Sequence, residues 1–130
     1  MISRKIVGSP VKESKTDRKR KDRFRIVDTK GEDIKTGQRG LLLYYGGTVC
    51  DYGSFDDNAA DAICREMGYS GSDNWMTGLL DFFYIQQKLD INVGAIECDD
   101  DDWSSCSYSK RNKCGHTDDV FLSCSTGKII

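Results

Sequence analysis

Gly47-Thr48-Val49-Cys50-Asp51, followed after a loop by Asp61-Ala62-Ile63-Cys64-Arg65-Glu66-Met67-Gly68-Tyr69, decides how the chain is read. Upstream of it, Leu41, Leu43 and Tyr45 alternate as a half-buried strand does. Gly46-Gly47 then suits a tight turn into Thr48-Val49-Cys50, so a β-hairpin is expected. Downstream, Ser54 with Asp57 three residues later reads as a capping box. Ala59, Ala60, Ile63, Cys64 and Met67 recur at helical spacing, and Gly68 stands where a C-terminal cap belongs.

Outward from this centre, Phe24, Ile26 and Val27 read as a first strand, and Ile91, Val93 and Ala95 as a later one. Val120, Phe121 and Leu122 read as a final strand ending at Cys124. Residues 70–90 give mixed signals, and their aromatic cluster Phe82, Phe83 and Tyr84 reads as core or as a flap over it. The expected fold class is α+β: one domain with one main helix packed on a curved, mostly antiparallel sheet, long loops, and disulfides that compensate for a thin core.

The 130 residues suffice for one compact domain. Six cysteines in so short a chain point to disulfides and an oxidising compartment, so the chain reads as secreted or luminal, an extracellular setting being either a secreted protein or the ectodomain of a membrane protein. Zinc modules use close ligand pairs such as Cys-x-x-Cys. Cys50, Cys64, Cys98, Cys106, Cys114 and Cys124 form none, and His116 is the only histidine. No apolar run approaches the ~20 residues that span a bilayer, so no membrane insertion is expected. Residues 1–25 lack the apolar segment of a signal peptide, so an exported chain reads as a mature or excised form.

Charge divides the chain. Residues 1–25 carry ten Lys or Arg against three acids, a net of +7; the whole chain is −2, which leaves −9 for residues 26–130. Residues 1–23 are therefore expected to be a basic disordered arm or linker, 24–125 the domain and 126–130 a tail. The run Arg18-Lys19-Arg20-Lys21 is a solvated linker on the plain reading, and a polyanion-binding arm or a proteolytic site on the sharper ones.

The chain resembles the scavenger-receptor cysteine-rich family. Gly-Thr-Val-Cys at 47–50 leads to Cys64-Arg65-Glu66-Met67-Gly68, Trp103-Ser104-Ser105-Cys106 is similar to the family's Leu-Trp-x-Cys element, and Cys114-Gly115-His116-Thr117-Asp118-Asp119 to its Cys-Gly-His-Ser-Glu-Asp segment. The cysteine set is that of the six-cysteine subgroup. Six cysteines permit fifteen connectivities; the resemblance implies Cys50 with Cys114, Cys64 with Cys124, and Cys98 with Cys106.

The resemblance also implies a calcium cluster built from an acid pair after the Gly-Thr-Val-Cys strand and an acid in the Cys-Gly-His segment. Those positions are Asp51, Tyr52 and Asp118, so one acid is lost, with Asp119 and Asp56 near enough in sequence to substitute. A second family site falls on Gly94 or Ala95 and on Lys113, and is abolished. Weak calcium binding at Asp51 and Asp118 is the one cofactor expectation. The run Asp99-Asp100-Asp101-Asp102 reads as a solvated acidic loop, with a hard-cation site as the alternative and Lys110, Arg111 and Lys113 as nearby neutralisers.

A Ser-His-Asp site is conceivable around His116 with Asp118 or Asp119, but no Gly-x-Ser-x-Gly or comparable nucleophile setting occurs. No enzyme is expected. The functional expectation is an extracellular, non-catalytic module that binds a protein or polyanionic ligand, with no specific nucleic-acid partner, monomeric as an isolated domain. The alternative is a structural or regulatory spacer of a larger mosaic protein.

Overall fold

The computed structural model describes residues 23–34, 37–110 and 114–125. Its strands are β1 (Phe24–Val27), β2 (Gly40–Tyr44), β3 (Gly47–Val49), β4 (Ser72–Met76), β5 (Ile91–Val93), β6 (Ala95–Cys98), β7 (Cys106–Ser109) and β8 (Phe121–Cys124). The main helix α1 spans Asp57–Glu66 and a single turn α2 spans Phe83–Gln86. The basic arm around Arg18, Lys19, Arg20 and Lys21 lies outside the described residues.

Six strands form one sheet in the order β4-β8-β2-β3-β5, with β1 also on β2. Every pairing in it is antiparallel except β3 with β5. β6 and β7 form a separate antiparallel ribbon, in register from Ala95 opposite Ser109 to Cys98 opposite Cys106.

The hairpin from β2 to β3 is present, displaced by one residue from its expected turn. Tyr45 and Gly46 occupy the corner, both with positive φ (50° and 87°), as a type I′ turn requires. Gly47 already pairs with Tyr44 in the ladder. A Cβ at Gly47 would collide with the Asn92 side chain, whose amide donates to the Tyr44 carbonyl at 2.8 Å. The glycine is needed there for close approach rather than for the bend.

α1 forms where its apolar spacing predicts, burying Ala59, Ala60, Ala62, Ile63 and Cys64. Its cap differs from expectation. Asp56 is the N-cap, its carboxylate accepting from the Ala59 amide at 3.0 Å, while the Ser54 hydroxyl donates to the Ile96 carbonyl at 2.7 Å. The far end closes with Gly68 at φ 101°. The Gly68 amide bonds the Arg65 carbonyl and the Tyr69 amide that of Cys64, a Schellman motif.

Strand β2 is buried along its whole length rather than on alternate residues. Both faces of the sheet are covered. Leu42 and Tyr44 pack in the cluster with Phe24, Val49, Ile63 and Leu122 beneath α1, while Leu41 and Leu43 join Val27, Phe121 and Phe82 on the other side. The lid on that second face is the segment around α2. Of its aromatic trio only Phe82 is core, whereas Phe83 and Tyr84 are exposed at 49% and 66%. The expected strand through Ile91, Val93 and Ala95 is broken at Gly94, where the chain leaves β3 and turns into the β6–β7 ribbon.

Three disulfides tie these layers: Cys50–Cys114, Cys64–Cys124 and Cys98–Cys106, with Cα separations of 6.4, 5.5 and 3.9 Å. The first ties the end of β3 to the Cys-Gly-His segment. The second ties α1 to the end of β8.

Candidate functional site

The Cys50–Cys114 bridge brings together the loop after β3 and the loop before β8. The Asp51 amide donates to the Asp118 carbonyl at 2.8 Å, and Cys50 bridges to Asp119. Asp51 and Asp118 are thus neighbours through the backbone. The Asp51 carboxylate accepts from the Gly53 and Phe55 amides at 2.7 and 3.3 Å, which folds the loop back on itself at Gly53 (φ 107°). Asp118 is exposed.

The other two expected helpers are not beside this pair. Asp56 spends its Oδ1 on the N-terminus of α1. Asp119 points inward and is fully buried, with Oδ2 receiving Gln86 Nε2 at 2.9 Å and lying 2.7 Å from His116 Nδ1. Burial pushes the Asp119 carboxyl up, and the hydrogen bonds with Gln86 and His116 oppose that.

Among the described residues, one grouping places three or more His, Cys, Asp or Glu ligand atoms within 4.8 Å of one another: Cys50, Cys114 and Asp118. Two of its members are consumed in a disulfide. That leaves one carboxylate, whereas a hard cation takes six or more oxygens.

His116 also touches the Leu89 carbonyl through Nε2 at 2.9 Å. Both ring nitrogens are therefore engaged, one by Asp119 and one by the segment after α2. No nitrogen remains to take a proton from a serine, so the conceivable triad lacks its base. The same contacts give Asp119, His116 and Gln86 a mechanical role, holding the α2 lid against β3 and β8. Nothing in the sequence singled out Gln86.

The acidic run is largely exposed and is organised by hydrogen bonds within its own loop. Ser105 Oγ accepts from the Asp100 amide at 3.0 Å and lies 2.7 Å from the Asp102 carbonyl, and Ser104 Oγ donates to Asp102 at 2.8 Å. Arg65 of α1 pairs with Asp101 at 3.3 Å, so the described neutraliser comes from the helix. Arg111 and Lys113 lie outside the described residues. Next to this loop, Arg23 pairs with Glu66 at 3.2 Å and sits over the Trp103 ring.

Sequence reasoning also passed over a groove of about 230 Å³ on the β6–β7 ribbon, lined by Tyr52, Ser54, Ala95, Glu97, Ser107, Tyr108 and Ser109. Tyr108 is fixed from behind. Its hydroxyl meets that of Tyr44 at 2.8 Å and its ring stacks on Trp103. Burial, and then the hydrogen bond with Tyr108, pushes the Tyr44 phenol well above the usual range.

Taken together, these features define a small, disulfide-tied α+β domain that displays loops on a fixed frame. Residues 30–125 match the model of the scavenger receptor cysteine-rich domain, and the chain belongs to that family. It is 30% identical over 106 residues to lysyl oxidase homolog 2 of Xenopus laevis, a match covering 76% of this chain and 13% of that protein. The chain thus spans about an eighth of that relative's length. Domains of this family are extracellular, non-catalytic modules of larger proteins. No helix among the described residues is long and apolar enough to cross a membrane.

Proposed function

We propose that this chain is a recognition module that binds an extracellular protein or polyanionic ligand through loop side chains, assisted by weakly held calcium. The observation that carries the reading is the frame. Disulfides and backbone bonds set the 51–56 loop beside the 114–118 loop, and Ser54 fastens the first of these to β6. Loops so held lose little conformational entropy on binding, which favours affinity. The run Arg18-Lys19-Arg20-Lys21 supplies the cationic charge that a polyanion needs.

Calcium is assigned to Asp51 and Asp118, with most of the coordination left to carbonyl oxygens and water. The affinity expected is that of extracellular modules, about 0.1 to 1 mM or weaker. Binding of the domain to heparin beads, protein-coated beads and bacterial surfaces, with and without a chelator, tests both parts. Capture that weakens on chelation supports them; no capture on any surface leaves a structural spacer. A calcium titration followed by backbone amide shifts locates the ion. Movement at 51 and 118 is expected, movement confined to 99–102 transfers the site to the acidic loop, and no movement at several millimolar removes calcium from the mechanism.

A further inference from the structure

The register of the β6–β7 ribbon sorts its side chains. Ala95 lies opposite Ser109 and Glu97 opposite Ser107 on one face, while Ile96 opposite Tyr108 and Cys98 opposite Cys106 belong to the other. The first set forms the floor of the groove and includes three small residues and one acid. Tyr52, 46% exposed, stands at its side, while the Tyr108 ring lies on the opposite face against Tyr44 and Trp103.

Among the described residues, Glu97 is the only ionisable carboxylate lining this groove. It is exposed, and the ion pairs among the described residues leave it out: Arg23 with Glu66, Arg25 with Asp33, Arg65 with Asp101, and His116 with Asp119. An anion would be repelled there, and a lone carboxylate is too few ligands for a hard metal ion. An apolar side chain would leave the floor hydroxyls and the carboxylate without partners. A long cationic side chain meets every surface present. Its methylene stem lies along Ala95 and the Tyr52 ring, its charged head reaches Glu97, and Ser107 and Ser109 accept remaining N–H groups.

We infer that the groove seats a single lysine or arginine side chain of a protein ligand, gripped by Glu97 beside Tyr52. The inference rests on the reading of the chain as a recognition module, and it locates one contact of that module away from Asp51 and Asp118. Because the groove contributes one carboxylate and no metal cluster, this contact is independent of calcium.

The test uses three probes on the intact chain: acetyl-Gly-Lys-Gly-amide, its arginine counterpart and its norleucine counterpart, each titrated with backbone amide shifts as readout. The two cationic peptides are expected to move residues 95–97, 107–109 and Tyr52 saturably, with or without chelator. Norleucine, and the variant Glu97→Gln, should bind at least about fivefold more weakly, the loss of one charge-assisted contact. Ala95→Arg, which lays the chain's own cation in the groove, should abolish the response, and Asp101→Asn should leave it intact. Equal shifts from norleucine, movement confined to 99–102, or an unchanged response in both Glu97→Gln and Ala95→Arg overturns the inference. If the peptides leave the groove still while the domain retains bead binding, the groove is rejected and the module stands. If the wild-type domain captures nothing, the module reading fails whatever the tripeptides do.

Discussion

Asp118 and Asp119 are consecutive residues with opposite fates, because the chain passes from a 3₁₀ turn into extended backbone between them. Asp118 remains on the surface, while Asp119 is sealed under α2 with Gln86 and His116. The sequence shows a run of acids and carries no mark of which one turns inward. An alternating pattern would have supplied one, but the 3₁₀ turn interrupts it. Asp119→Ala leaves one Gln86 N–H, whose Nε2 keeps its bond to the His116 carbonyl at 2.9 Å, and His116 Nδ1 without a partner in a buried site, at about 1–3 kcal/mol for each orphaned group. We expect a loss of at least about 2 kcal/mol in chemical denaturation. Amide exchange should rise first around 82–89, where the lid is pinned; a loss spread evenly over the sheet would contradict the clamp.

Among the elements, α1 is the one read most fully in advance, since Ala59, Ala60, Ile63 and Cys64 at helical spacing and the terminal Gly68 leave little ambiguity. Its start was misplaced because Ser54, Asp56 and Asp57 are all acceptable caps, and only the three-dimensional placement of Ser54 against Ile96 excludes the first. Asp56→Ala should therefore cost about 1 kcal/mol and loosen the first turn of the helix. Ser54→Ala should leave that turn unchanged and disturb β6 instead; comparing amide exchange at Ala59 and Ala60 in the two variants distinguishes them. β4 was not legible. Its Ser-Asp-Asn-Trp-Met sequence has no apolar alternation, since the strand lies at a sheet edge and anchors through Trp75, whose Nε1 reaches Asp57 at 2.9 Å and whose ring packs on Phe55. α2 is four residues long, too short for a helical period to show. The alternation of Leu41, Leu43 and Tyr45 predicts a half-buried β2, but Leu42 and Tyr44 are buried as well and Tyr45 is exposed at the turn, because the strand is covered on both faces and has no reason to alternate.

At the scale of the whole molecule, the family was legible because cysteines and their neighbouring glycines are fixed points of the frame, while the groove was not, because it exists only once β6 and β7 are in register. The two long bridges cross-link parts of the chain 64 and 60 residues apart. In the loop-entropy picture each contributes about 4 kcal/mol and the short one about 2.5 kcal/mol. Their connectivity has a mechanical consequence. The shortest covalent route from Phe24 to Cys124 runs to Cys50, crosses to Cys114 and continues, so it contains about 36 residues of backbone rather than about 100. Pulled from those two ends, the oxidised domain should lengthen to no more than about 125 Å and then stiffen, whereas the reduced chain should pay out to about 350 Å. Single-molecule extension with and without reductant measures the difference, and equal contour lengths would mean that the bridge does not bear load. Within a mosaic protein under tension, such a domain acts as a short tether with a hard stop, keeping its neighbours within reach of one another after its own sheet has given way.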